Sequence, residues 1–421
     1  MDKFVIEGGV PLKGEVKISG AKNAVLPILA ATLLTDKRCI IKNVPRLADV
    51  FTMLRILNAL GMKTNFSGDA ISVEPGANRK YIAPYRLVRT MRASFCVLGP
   101  LLARLKKAEV SLPGGCIIGV RPVDLHLKGL SALGVDMDIE AGYVKARVKK
   151  NLKAGYVYLG GQFGSSVLAT ANVMMAAVFA KGKTVLESCA CEPEVLDLAN
   201  FLKKMGAKIT GEGTPHIEIE GVSELKGAEY FVIPDRIEAG TFIIAAAITR
   251  GQVVVKNFVR NHLSCIIDKL QEAGLNLKIG KDYSAIKSRR TLKPVNVTTL
   301  PFPGFPTDMQ AQFMSLMAIT PGVSVISEKV YPDRFMHIAE LNRMGAHIQR
   351  EGPHAIVQGV RQLQGAPVMA SDLRASAALI LAGLVAKGKT EVFRIYHLDR
   401  GYEDLDKKLV SLGARVWREK E

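Results

Sequence analysis

Six segments of this chain carry one signature, hydrophobic-x-x-hydrophobic-Gly, followed by an alternating run. They are ILNALGMKT, GLSALGVDM, FLKKMGAKI, KLQEAGLNL, ELNRMGAHI and KLVSLGARV. Their glycines are Gly61, Gly134, Gly206, Gly274, Gly345 and Gly413, so the signature recurs every 68 to 73 residues. A glycine at the end of an amphipathic helix takes φ > 0 without steric cost and turns the chain into the next strand. A second pattern alternates with the first: an Ala-rich helix, a short turn and a β-branched strand. Its copies are LAATLLTDKRCIIKNV, GPLLARLKKAEVSLPG, MMAAVFAKGKTVLESC, IIAAAITRGQVVVKNF, SLMAITPGVSVISEKV and ILAGLVAKGKTEVFRI. One unit of about seventy residues therefore holds two helices and several strands. That period is too long for an ordinary solenoid and predicts closed domains of several units.

At 421 residues the chain is long enough for two such domains. Six units divide as three plus three, with a natural boundary near Val232 to Asp235 and a ligand cleft expected between the halves. The expected domains are 22–233, and 1–21 together with 234–421.

The net charge of +18 suggests an anionic partner: nucleic acid, a membrane surface or a phosphorylated small molecule. The lysines and arginines form only short runs, there is no zinc-finger spacing, and Trp417 is the only tryptophan. A nucleic-acid-binding protein is thus the reading to set against an enzyme acting on anionic substrates. Cys39, Cys96, Cys116, Cys189, Cys191 and Cys265 show neither C-x-x-C pairing nor regular spacing, which argues against zinc and against a disulfide framework. We expect Cys39, Cys96 and Cys265 to pack as small hydrophobes. The N-terminal MDKFVIEGGV lacks signal-peptide character, and no apolar stretch reaches the ~20 residues of a membrane span. A reducing, cytoplasmic setting is expected.

Cys116 stands apart. It lies in SLPGGCIIGVRPVD, after Pro-Gly-Gly and five residues before Arg121, a place suited to a mobile, cation-flanked thiol. Other polar segments interrupt the repeats at unit junctions: SGAKNA with Lys22 and Asn23, RTMRAS with Arg92, PDRIEAGT, FPTDMQAQ with Asp308, DRFMH with Arg334, SDLRAS with Arg374 and YHLDRGYE with Arg400. Arginine forks grip carboxylate and phosphate, so several in one cleft would hold a multiply anionic substrate. Asp308 is the candidate general base, and it is equally well placed to cap the following helix. His126, His337 and His397 have no metal-ligand spacing and are expected to pack or hydrogen-bond.

These motifs, with LPGGCxIGxRPVD and IYHLDRGYE, resemble the UDP-N-acetylglucosamine 1-carboxyvinyltransferase family through nearly the whole chain. The resemblance implies an inside-out α/β barrel fold of two domains, each built from three βαβαββ units. It implies transfer of the enolpyruvyl group of phosphoenolpyruvate to the 3-hydroxyl of UDP-N-acetylglucosamine, the first committed step of peptidoglycan synthesis. Neither metal nor cofactor is implied. By the same resemblance Cys116 is the proton donor and the site of attack by fosfomycin. Lys22, Arg121 and Arg400 would hold the phosphate, Arg334 and Arg374 the carboxylate, and Asp308 the sugar hydroxyl. Asn23, Arg92, the segment Arg121, Pro122, Val123, Asp124 and Leu125, the segment Gly164, Ser165, Ser166 and Val167, and Val330 would contact the UDP-sugar. Glu192, Asp235 and Asp372 match positions around the cleft. The chain departs from the family at Cys191, where Arg is usual, and at Leu168, where Gly is usual. The sister family, 3-phosphoshikimate 1-carboxyvinyltransferase, shares the fold and the phosphoenolpyruvate chemistry but lacks the loop cysteine and this form of RPVD.

Overall fold

A computed structural model describes residues 2–114, 123–162, 164–288 and 291–421. The described residues form two compact units, one from 20–114 with 123–233 and the other from 2–19 with 234–421. Each has its own apolar core.

Among the described residues each unit contains three four-stranded sheets with one common plan. In the first unit, strand Lys183–Glu187 pairs in parallel with Tyr156–Tyr158 on one side. On its other side it pairs antiparallel with His216–Glu220, which pairs in turn with Lys208–Thr210. The second unit repeats this: Val323–Ser327 lies between Val297–Thr298, in parallel, and His354–Gln358, antiparallel. The expected six-fold repeat is thus present as six copies of one sheet.

All six signature glycines have positive φ, from 82° at Gly134 to 108° at Gly206. Each follows a helix and leads into a strand; the first five of these strands open a hairpin, for example Ala48–Ala59 into Met62–Ser67, whereas Gly413 leads into Arg415–Lys420, which pairs with Asp2–Glu7. The second turn also has a left-handed residue just before most strands. Glycine supplies it at Gly182, Gly322 and Gly388, and a basic side chain at Lys106 and Arg250.

The two helix classes differ in burial for a sequence reason. Arg236–Ile248, Gln310–Met317 and Leu373–Gly383 are apolar nearly all round and pack on one another in the middle of their unit. Ser264–Glu272 is polar on one face and buries only Ile266, Ile267 and Leu270. In the first unit Lys22–Ala31, Leu98–Leu105 and Val167–Ala177 form the inner set. A helix apolar all round has to be surrounded by protein, whereas a one-sided helix covers a core.

One sheet is completed from the far end of the chain. Asp2–Glu7 inserts between Lys389–Phe393 and Arg415–Lys420, antiparallel to both. Lys13–Lys17 then supplies the parallel edge beside Gln252–Lys256. The first unit fills its equivalent edge with Glu229–Phe231, beside Cys39–Lys42.

Candidate active site

The predicted site residues fall into two groups, one in each unit. In the second unit the N-terminal ends of the inner helices bring them together. Asp308 lies in the turn Thr307–Met309 that leads into Gln310–Met317. Asp372 caps Leu373–Gly383 by accepting from Arg374 N at 2.8 Å and Ala375 N at 3.2 Å. Asp235 caps Arg236–Ile248 in the same way, through Ile237 N and Glu238 N. Carboxylates belong at helix N-termini, where unpaired N–H groups and the helix dipole are positive.

Asp308 does not cap its helix, so the capping role open to it in the sequence is not used. Its two oxygens are instead held by two guanidiniums. Oδ1 accepts from Arg334 Nη1 at 2.8 Å and Oδ2 from Arg374 Nη2 at 3.0 Å. Burial pushes the Asp308 carboxyl up, but Arg374 and Arg334 outweigh it and hold the group well below the usual carboxylate range. Burial alone would lower the two arginines, yet Asp308 raises both, so they stay charged. Arg334 Nη2 also lies 3.9 Å from Asp372 Oδ1. Arg374 is buried to 2 % exposure, and its Nε and Nη1 have no hydrogen-bond partner among the described residues. Arg400 ends the turn Ile395–Arg400, which packs on the Leu373–Gly383 helix.

Sequence reasoning did not single out the residues behind this pair. Tyr402 lies under Arg374, the ring centroid 5.4 Å from the guanidinium carbon, and its hydroxyl meets Thr241 Oγ1 at 2.9 Å and Gln312 Nε2 at 3.2 Å. Glu328, fully buried, holds Thr307 and the backbone of Val330. Tyr402 sits inside a quoted motif. Glu328 carries no local signal, because its hydroxyl partners are 21 and 29 residues away.

The group in the first unit is basic and polar. Lys22 opens the helix Lys22–Ala31 and is almost buried, its Nζ 2.7 Å from Asp49 Oδ2. Asn23 follows it, partly exposed. Arg92 begins the turn Arg92–Val97, which packs on the Lys22–Ala31 helix. Val123, Asp124 and Leu125 enter the helix Asp124–Ala132, which packs against Val167–Ala177. Gly164 and Ser165 form a two-stranded ribbon with Gly160 and Gly161, and Ser166 caps Val167–Ala177 through Ala169 N at 3.3 Å. A Cβ on Gly161 would stand 3.0 Å from Leu125 Cδ1, so Leu125 lies close to the ribbon strand that pairs with Gly164 and Ser165. Cys116, Arg121 and Pro122 lie outside the described residues.

The histidines are structural where they are described. His126 is buried, its Nδ1 3.0 Å from Asn172 Nδ2, and burial with the nearby Arg92 lowers it to about 3. Burial likewise lowers His337 to about 4, with Asp372 opposing and Arg334 reinforcing. His397 stacks against Tyr396 at 4.2 Å. Cys39 and Cys96 are buried as expected, whereas Cys265 is only half-buried at the edge of its core.

A profile of the EPSP synthase (3-phosphoshikimate 1-carboxyvinyltransferase) family matches residues 6–409. The crystal structure of the enolpyruvyl transferase NikO from Streptomyces tendae superposes with a TM-score of 0.89 at 25 % identity. It covers 100 % of this chain and 99 % of its own. EPSP synthase from Acinetobacter baumannii superposes at 0.79 and 18 % identity, covering both chains fully. The fold is therefore that of the enolpyruvyl transferases. The branch is decided by sequence. The UDP-N-acetylglucosamine 1-carboxyvinyltransferase of Myxococcus xanthus is 55 % identical over the full length of both chains. The chain belongs to the UDP-N-acetylglucosamine 1-carboxyvinyltransferase family. A second relative, UDP-N-acetylglucosamine 1-carboxyvinyltransferase 2 of Carboxydothermus hydrogenoformans, is 54 % identical over 99 % of both. No helix among the described residues is long and apolar enough to cross a membrane.

Proposed function

We propose that this protein transfers the enolpyruvyl group of phosphoenolpyruvate to the 3-hydroxyl of UDP-N-acetylglucosamine, releasing phosphate, as the first committed step of peptidoglycan synthesis. The observation that carries the mechanism is the Arg334–Asp308–Arg374 arrangement, with two buried donors of Arg374 left without an acceptor among the described residues. A buried guanidinium with unused N–H groups is poorly satisfied until an anion meets it.

The same arrangement makes the base conditional. Between two free guanidiniums Asp308 is a weak base, because its charged form is strongly favoured. When a substrate anion takes part of the guanidinium charge, the carboxylate regains basicity. It can then accept the proton of the sugar hydroxyl as that oxygen attacks C2 of the enol. In the same addition C3 takes a proton, which we assign to the thiol of Cys116 by its loop position and the family resemblance. Loss of a proton from C3 and departure of phosphate from C2 then regenerate the double bond on the new ether. Lys22, Arg121 and Arg400 are assigned to the phosphate. Asn23, Arg92, the 121–125 and 164–167 segments and Val330 are assigned to the UDP-sugar. No step requires a metal.

The test is phosphate release from phosphoenolpyruvate with UDP-N-acetylglucosamine and, in parallel, with shikimate 3-phosphate. Release only with the UDP-sugar supports the reading. Release only with the shikimate compound overturns the acceptor, and silence with both overturns the activity.

A further inference from the structure

We infer that Glu328 is a positioning residue for the reaction: it orients the Thr307 hydroxyl, and through it Arg334, against Asp308. The inference rests on the reading of Asp308 as the group that meets the sugar hydroxyl. Glu328 has no exposed surface. Its Oε1 accepts from Thr299 Oγ1 at 2.5 Å, Val330 N at 2.9 Å and Tyr331 N at 2.9 Å. Its Oε2 accepts from Thr307 Oγ1 at 2.8 Å. These four donors are all neutral. Burying a carboxylate among neutral donors is costly, and an apolar or amide side chain of similar size would avoid the charge. The charge therefore has to be explained by something other than stability.

The donor directions supply the explanation. A carboxylate accepts and never donates, so all four donors point at Glu328. The hydroxyl of Thr307 has one proton, and Glu328 takes it. Only lone pairs remain, and one of them faces Arg334 Nη1 at 3.0 Å. The same nitrogen donates to Asp308 Oδ1 at 2.8 Å. Arg334 is thus fixed on two adjacent oxygens, and only one rotor state of Thr307 permits it. The two backbone donors on Oε1 belong to the turn carrying Val330, which the proposed function places against the UDP-sugar. One buried side chain therefore sets both the base and the neighbouring sugar contact.

Glutamine at 328 tests the directionality with little change in volume. Its oxygen can serve the three donors on the Oε1 side, which leaves its NH₂ facing Thr307 Oγ1. Thr307 would then receive two donors, and its own proton would lose its acceptor. The experiment measures kcat for phosphate release with UDP-N-acetylglucosamine in Glu328→Gln, Thr307→Val, Thr307→Ser and the double variant Glu328→Gln/Thr307→Val, alongside the wild type.

The expected result is a loss of roughly 10- to 100-fold in Glu328→Gln and in Thr307→Val, the range for a hydrogen bond to a charged group. Thr307→Ser, which keeps the hydroxyl, should stay within about threefold of the wild type. The double variant should be no slower than the slower single one, because both remove the same relay. The inference is overturned if Glu328→Gln or Thr307→Val keeps kcat within about threefold. It is also overturned if the two losses multiply, or if Thr307→Ser is as slow as Thr307→Val. Should Glu328→Gln fail to fold, the Val and Ser variants decide alone: rescue by Ser supports the relay, and equal rates end it. A wild-type protein that releases no phosphate with the UDP-sugar overturns the proposed function and this inference with it.

Discussion

Among the described residues Arg374 donates to Asp308 through Nη2, at 3.0 Å, and holds Nε and Nη1 in the protein interior without an acceptor. Replacing it by lysine retains a charge but not the fork. Arg374→Lys should lower kcat/KM for phosphoenolpyruvate on the order of 100-fold. The KM for UDP-N-acetylglucosamine should change far less. Equal effects on both substrates would argue against an anion site at this guanidinium.

Asp308→Asn removes the proton acceptor while leaving a side chain that still meets one arginine. Turnover should fall by ~10²–10⁴, the usual contribution of a positioned general base. The variant should also unfold at a lower temperature, because two buried guanidiniums lose their counter-ion, so turnover is compared at a temperature where both proteins are folded. An Asn variant that turns over at the wild-type rate would remove Asp308 from the chemistry.

Cys116→Ser replaces a thiol with a hydroxyl that is a far weaker acid, so phosphate release should drop by ~10² or more. Cys116→Asp should keep measurable activity and resist fosfomycin, because a carboxylic acid can donate a proton but resists that alkylation. Continued inactivation of the Asp variant by the drug would place the reacting group elsewhere.

Asp197 offers a test of stability against pH. It is buried, and desolvation raises it to about 6 despite hydrogen bonds from Tyr230 Oη and Ile233 N. An unfolded aspartate titrates near 3.9. From pH 4 to 6 the folded state therefore holds the extra proton, so this group's contribution falls as pH rises through that window and stays low above it. The swing is roughly 2–3 kcal/mol. Asp197→Asn should lose that slope, read as urea midpoints at pH 4.5, 6 and 7.5. Parallel wild-type and variant profiles would refute the assignment.

Two signature glycines should respond unequally to alanine. Gly206 has φ 108°, and a methyl group added there would meet only open space, so Gly206→Ala should cost about 1–2 kcal/mol of backbone strain. Gly61 has φ 90° and would place its methyl 2.0 Å from the carbonyl oxygen of Asn78. Gly61→Ala should destabilise clearly more in chemical denaturation. Equal losses would mean that the close approach at Gly61 relaxes freely.

The repeat is legible in the sequence because its signals are local. A glycine after an amphipathic turn dictates its own φ, and six copies at nearly constant spacing identify one another. The Asp308, Arg334 and Arg374 positions are legible as polar breaks in that pattern and as family motifs. The support behind them is not. Glu328 follows an ordinary strand, and Asp49 sits where an acidic residue is normally explained by the helix dipole. Each gains its meaning from a partner that only tertiary folding brings near, Thr307 for one and Lys22 for the other. Sequence alone does not separate capping from catalysis at Asp308, because both use the same residue type before a helix. The arginines that claim it are 26 and 66 residues further on.

The strand Asp2–Glu7 has a consequence for the order of events during synthesis. It is made before the 20–233 unit, yet its neighbours Lys389–Phe393 and Arg415–Lys420 are made after that unit. The unit built from residues within 20–233 precedes Lys389–Phe393 and Arg415–Lys420 in the sequence and can collapse around its own core while translation proceeds. The other unit has to keep the strand Asp2–Glu7 unpaired until those two strands have been made. An unpaired strand of that kind is an invitation to mispairing, and Lys3 and the acidic Asp2 and Glu7 that flank its apolar Phe4–Ile6 centre guard it during the wait.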